Sequence, residues 1–472
     1  MGDMRTVELD DGTPGADPPR RHRRRWPWVA GAVVAVAAVL VTWQLVVNHR
    51  EQSAQDRVAQ ASDVLLPVPE QLHVLWTAPT RANAYVGGSA VGPHLLAGST
   101  ADDGSTYEIH EVDRHTGEPG WSVTGTRPAG STTGVECRGV SVTGGPPTFA
   151  ACAIGAEQAT GLLPTESTDV RIVVLVAATG EVVSTTDTTL AAWAVAGDKI
   201  VTATSERDGD DVTWSLRTID ATSGAPTWSL VLPTVPVEPP DTDANGFLTG
   251  GFFFSSLEGT LGRVVLMDQG HVWVVDEGAL TTTVRVKASW TATLDRSGVA
   301  QLALGEATSA TASQLVLTDG SIVDVAAQQV DLPVDDGTAS NLVLVRAWKG
   351  PTLQARDPRT GVVRWEVPQA GAQALVLAGR VVVRSGDDLV AVDAGDGHVV
   401  WRTRSVMDPA VALSTDGANV YVPVPGRLRA YAVSDGHRLP DRVLPDEYGG
   451  DSPSASYGVL SVYVGDPAPI LG

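Results

Sequence analysis

The sequence is short of the residues that most often announce chemistry. Of 472 residues only two are cysteine, Cys137 and Cys152, which excludes a cysteine-rich metal scaffold and a disulfide-dense framework. The nine histidines show no metal-ligand spacing; His398 and His437 each follow a glycine in equivalent turns, which reads as a surface role. Phosphate-cradling glycine loops are absent. "GDSP" (450–453) lacks the glycines that follow a protease serine, and "GSTTG" (130–134) lacks the strand-turn-helix setting of a nucleophile elbow. Positive charge is scarce as well: 33 basic residues, of which only Lys199, Lys287 and Lys349 are lysine, face 55 acids for a formal net charge of -22. Residues 1–25 hold six Arg and five acids, net +1, which leaves -23 for the remainder. Such a body repels phosphate backbones and excludes a nucleic-acid partner.

One stretch lacks charge altogether. Residues 26–47, "WPWVAGAVVAVAAVLVTWQLVV", are 22 uncharged positions, and as a helix rising about 1.5 Å per residue they span a hydrocarbon core of about 30 Å. Trp26, Trp28 and Trp43 lie near its ends, where indoles favour the headgroup region, and "RRHRRR" (20–25) precedes it on the side that positive charge holds in the cytoplasm. The small-x-small triplet Ala59 to Ala61 lies 12 residues past the run, and the run itself exceeds a signal-peptide core of about 7–15 residues, so the segment reads as an uncleaved anchor. The expected layout is a disordered cytoplasmic tail (1–25), a transmembrane helix (26–47), a juxtamembrane linker (48–70) and an extracytoplasmic domain (71–472). The bilayer is thus one expected partner, and the cell membrane the expected location.

From Leu72 onward no long segment has apolar residues at helical spacing. Short runs of Val, Leu, Thr and Trp alternate with Gly, Asp, Pro and Ser clusters, the pattern of an all-β fold. Four blocks obey one rule: "IHEVDRHTGEPGWSVT" (109–124), "LRTIDATSGAPTWSLV" (216–231), "LQARDPRTGVVRWEVP" (353–368) and "LVAVDAGDGHVVWRTR" (389–404). Each carries Asp, then Gly four residues on, then Trp eight residues on: Asp113, Gly117, Trp121; Asp220, Gly224, Trp228; Asp357, Gly361, Trp365; and Asp393, Gly397, Trp401. Looser copies at Val176, Asp276, Asp319 and Ala432 bring the register to eight positions with a mean spacing close to 46 residues, the size of a four-stranded propeller blade. In each copy Asp can bond the backbone two residues on, Gly can take a positive-φ turn position, and Trp can fill the wedge between splayed blades. Trp76, in "LHVLWTAPT", has the Trp-strand pattern with no Asp-Gly turn before it, so that strand is expected to complete the last blade and close the ring.

These blocks resemble the PQQ-like β-propeller repeat, shared by bacterial quinoprotein dehydrogenases and a non-enzymatic outer-membrane assembly lipoprotein. The resemblance covers roughly residues 72–465, and with the eight register positions the expected fold is a propeller of about eight blades, with seven as the alternative. It marks the fold and not the activity. In the dehydrogenases it would imply a quinone, a Ca²⁺ on carboxylate and amide oxygens, and in several members an adjacent cysteine pair; Cys137 and Cys152 are not adjacent, and no catalytic base carries over.

Cys137 and Cys152 flank "RGVSVTGGPPTFAA". A hairpin centred on Gly144-Gly145 pairs residues whose numbers sum to 289, as 137 and 152 do, so the two thiols are expected to face each other and bridge in an oxidising exterior. "DTDANGFLTGGF" (241–252) opens like a calcium loop, with Asp241, Asp243 and Asn245 at alternate positions, yet Phe252 stands where a bidentate Glu belongs. The expectation is therefore a membrane-anchored, non-enzymatic binding or scaffold module for a protein or cell-envelope ligand, with no cofactor. A PQQ-dependent dehydrogenase holding quinone and calcium is one alternative. A sensor ectodomain is the other, and with only 25 cytoplasmic residues it would need a partner subunit for output.

Overall fold

The computed structural model describes residues 58, 61, 63–77, 89–101, 103–129, 131, 134–141, 147–155, 167–237, 255–286, 290–304, 313–405, 412–462 and 469–472. The expected transmembrane helix, 26–47, and the calcium-loop candidates Asp241, Asp243 and Asn245 lie outside them. No helix among the described residues is long and apolar enough to cross a membrane.

The described residues all belong to one compact unit within 54–472. In it, the described strands form nine sheets that are the blades of a β-propeller. Blades 1 to 8 follow the chain: 89–126, 135–190, 192–236, 256–285, 290–325, 327–368, 370–404 and 414–443. Blade 9 joins the two ends, with Pro453–Ser456, Val459–Val462 and Pro469–Leu471 from the C-terminus and Val74–Thr77 as its outermost strand. Within a blade neighbouring strands are antiparallel.

Burial follows position in the blade. The second strand of blade 4, Arg263–Asp268, is buried at every residue, whereas the outer strand of blade 2, Val182–Leu190, is exposed or half-buried at every residue before Leu190. This is why inner runs read as Val-rich and outer runs as Thr- and Ser-rich. Apolar clusters fill the seams between successive blades around the circle. The last seam packs Leu95, Ala97 and Val112 of blade 1 against Trp76, Tyr457 and Val459 of blade 9.

Nine blades correct the expected eight, and the alternative of seven. The eight register positions mark eight blades, each at the turn from third to outer strand. In blade 9 the third strand is Pro469–Leu471 and the outer strand Val74–Thr77. That turn is cut by the chain ends, so a count of turns falls one short. Trp76 does complete the last blade, but the last blade is not the one carrying Ala432, which has its own outer strand, Arg442–Val443.

Candidate functional site

The repeat residues hold neighbouring blades together. Asp113 Oδ1 accepts the backbone N–H groups of His115 (2.8 Å) and Thr116 (2.9 Å). Asp220, Asp357 and Asp393 accept equivalent bonds from Thr222 and Ser223, Arg359 and Thr360, and Gly395 and Asp396. These bonds hold the carboxyls of Asp113 and Asp220 below the ordinary range; at Asp357 the Arg364 guanidinium comes first, then the turn amides, and the value falls to about 2. Gly117, Gly224, Gly361 and Gly397 have φ of 72°, 66°, 67° and 74°, which a side chain would strain.

Each tryptophan then reaches across to the turn of the following blade. Trp76, Trp121, Trp365 and Trp401 donate their indole N–H to the carbonyls of Arg114 (3.1 Å), Ala177 (3.1 Å), Ala394 (3.0 Å) and Val433 (2.8 Å). Their rings lie against Gly117, Gly180, Gly397 and Gly436, where a Cβ has no room. Trp228 packs on Gly278 in the same way without the hydrogen bond. In blade 2 Ser184 takes the Trp place and donates to Ala221 O (3.0 Å). His398 and His437 bond Asp396 and Asp435 on the exposed rim; Asp393 and Asp396 come close to His398 there, but their oxygens serve the turn. Cys137 and Cys152 are directly opposite in the register of Val135–Val140 and Phe149–Ile154 and are bridged, facing blade 1.

A different feature breaks the regularity of the ring. The inner strand of blade 6, Ala327–Gln329, ends after three residues. The chain leaves it as Asp331–Asp335 and pairs in parallel with Ala370–Leu377 of blade 7 (Asp331 opposite Gln373, Val334 opposite Leu375) before returning to Val343–Ala347. Pro333, which has no N–H to give a ladder, fits this edge position. Asp336 then staples the insertion to blade 7: Oδ2 accepts Ala378 N (2.6 Å), Oδ1 accepts Thr338 N (3.0 Å), and the Thr338 hydroxyl accepts Gly379 N (2.9 Å).

The insertion lies against the first turn of blade 5 and encloses a cavity of about 40 Å³ lined by Thr293, Asp295, Arg296, Gln301, Asp335 and Ser340, among others. It adjoins an open groove of about 480 Å³ that shares Leu332 and whose wall adds Asp63, Asp331, Leu294 and Pro333. Arg296 and Asp335–Thr338 also face a mouth of about 470 Å³ where inner turns of blades 2, 3 and 4 converge through Ser141, Gly197 and Leu261. Asp295 Oδ1 takes Ser297 N (2.9 Å), the Ser297 hydroxyl (2.6 Å) and Val299 N (3.0 Å). Asp335 Oδ1 takes Gly337 N (2.8 Å), and its Oδ2 is 3.6 Å from Arg296 Nε, a loose pair with the Arg296 side chain half exposed. Burial pushes Asp295 up to about 6 against those bonds, and raises Asp335 and Asp63 as well. Gln301 is 5% exposed and its Nε2 is buried without a hydrogen-bond partner. The site is therefore an acid-rich crevice near the ring axis, with Arg296 as a loosely paired, half-exposed counter-charge and one buried carboxamide nitrogen unpaired. None of its residues belongs to the repeat, and the sequence reading did not find them.

Fold and repeat together define a PQQ-like β-propeller. Residues 290–456, which include Asp295 and Asp335, match the family described as outer membrane protein assembly factor BamB, and the chain carries that class of repeat. Among solved structures, BamB from Moraxella catarrhalis is 14% identical, covering 85% of this chain and 97% of its own, with a TM-score of 0.36. Quinohemoprotein alcohol dehydrogenase from Comamonas testosteroni is 15% identical over 85% of this chain and 76% of its own, with a TM-score of 0.33. The computationally designed Ika8 protein is 12% identical over 87% of this chain and 99% of its own, with a TM-score of 0.34. A comparison with curated protein sequences finds no match.

Proposed function

We propose that this chain is a non-enzymatic binding propeller, held by residues 26–47 on the outer side of a cell membrane, that presents its axial crevice to a protein or cell-envelope ligand. The observation that carries the reading is the division of labour among the acids. The repeat aspartates are consumed in seams and turns, whereas Asp295, Asp335 and Asp63 stand around open volume, with the half-exposed Arg296 only loosely paired to Asp335. The matched family's description as an assembly factor supports a role in handling other proteins. A quinone-dependent dehydrogenase is the second reading, favoured by one observation: a carboxyl at about 6 can move a proton near neutral pH.

The test uses the full-length chain purified in detergent. Binding predicts no quinone absorbance and no dye reduction with alcohols or sugars; stoichiometric quinone would refute it. The anchor predicts that the chain stays in carbonate-washed membranes and that deleting residues 26–47 releases it. Release of the intact chain by carbonate would sink that part of the reading.

A further inference from the structure

We infer that the crevice between blades 5 and 6 is a receptor for a primary ammonium group at the end of an aliphatic stem, supplied by a lysine side chain of a protein partner. This rests on the binding reading above and names what is bound. The first ground is the donor set. Asp295 Oδ1 is filled by three hydrogen bonds from its own turn, and Asp335 Oδ1 by the Gly337 amide, so each carboxylate has Oδ2 left over. The second ground is independent of the acids: Gln301, 5% exposed and on the cavity wall, has a buried carboxamide nitrogen with no partner. Turned about its last bond, the same carboxamide offers Oε1 in that place. Two carboxylate oxygens and an amide oxygen make three acceptors, the number that the three N–H groups of a lysine ammonium require.

Other cations fit less well. Calcium takes six to eight oxygens, and the turn bonds have already consumed half of what the two carboxylates hold. A guanidinium wants two parallel acceptors on one carboxylate, whereas the free oxygens here sit on two different side chains. The cavity of about 40 Å³ is several times what one water needs. Leu294, Leu332 and Pro333 line the adjoining groove and would lie along the methylenes of the stem while the charge points inward. Arg296, loosely paired at 3.6 Å, is the group that an arriving ammonium displaces from Asp335.

The experiment is calorimetric titration of the full-length chain in detergent with a short lysine peptide, the same peptide with norleucine for lysine, 1,5-diaminopentane, and calcium chloride. The lysine peptide is expected to saturate a single site and the norleucine peptide to give no heat above dilution. Asp295→Asn should weaken the lysine peptide at least tenfold. Arg296→Ala, which truncates an exposed side chain, should tighten it severalfold by removing the competing cation. Tighter binding of the diamine than of the peptide would overturn the protein-borne source. Equal binding of lysine and norleucine peptides would overturn the inference, as would saturable calcium binding lost in Asp295→Asn, or weaker binding in Arg296→Ala. None of those outcomes touches the binding reading, which falls only to a bound quinone or dye reduction.

Discussion

The seams between blades can be tested with two glycines that differ in one respect. Gly180 and Gly224 occupy the same turn position in blades 2 and 3, with φ of 71° and 66°. A Cβ at Gly224 would meet nothing nearer than 3.7 Å, whereas at Gly180 it would fall 2.5 Å from Trp121 Cε3 and 2.6 Å from Cδ2. Alanine at either position pays the left-handed backbone term, about 1–2 kcal/mol. At Gly180 it must also push the indole outward, an overpacking cost of about 1–3 kcal/mol, and stretch the bond from Trp121 Nε1 to Ala177 O, now 3.1 Å, worth about 1 kcal/mol. Gly224→Ala should therefore cost about 1–2 kcal/mol and Gly180→Ala about 3–6 kcal/mol. The assay is native-state hydrogen exchange at the turn amides, Gly180 N to Val176 O and Gly224 N to Asp220 O, which reads local opening without assuming that the whole ring unfolds in one step. In a Trp121→Ala background the excess at Gly180 should vanish. Equal costs at the two glycines, or an excess that survives removal of Trp121, would refute the seam argument.

Other consequences can be measured on the same material. Asp295 sits at about 6, above its ordinary 3.8, so between those values the folded chain holds a proton that the unfolded chain releases. Its contribution is fully present below about pH 4 and is lost as pH rises through 6, amounting to about 3 kcal/mol. Wild type minus Asp295→Asn, measured by urea unfolding from pH 4 to 8, should trace that fall; a flat difference would show that burial does not act on this carboxyl. Replacing Cys137 and Cys152 by serine opens a loop with a sequence separation of 15 and should cost about 3 kcal/mol in the chain-entropy account, read as a lower unfolding midpoint that matches reduced wild type. Trp76→Ala removes the indole from Gly117 and its bond to Arg114 O. It should cost up to about 3 kcal/mol, with exchange rising first in blades 9 and 1 and not across the ring. Replacing the arginines of 20–25 by glutamate should reduce the fraction of chains whose propeller is cut by protease added outside intact cells.

Much of the ring was legible because its chemistry is local. Asp, Gly and Trp at offsets of four and eight residues lie within one turn and the strand after it, so a single copy can be recognised without its partners. The ninth blade was not legible in that way. Its third and outer strands come from opposite chain ends, 469–471 and 74–77, and no turn residue can mark a junction that the chain never makes. The crevice was hidden by a further effect. The insertion through Asp331–Asp335 adds a segment to blade 6, yet the register step from Asp319 to Asp357 is 38 residues, shorter than the mean of about 46. The other connections of that blade are short enough to conceal it. Its residues are also ordinary in type: Asp295 and Asp357 are both turn aspartates accepting backbone amides, and nothing in the sequence separates them. Burial does, holding one up at about 6 while an arginine and solvent leave the other at about 2. The acids that a motif makes conspicuous are thus spent on the scaffold, and those left facing open volume are the ones that only packing reveals.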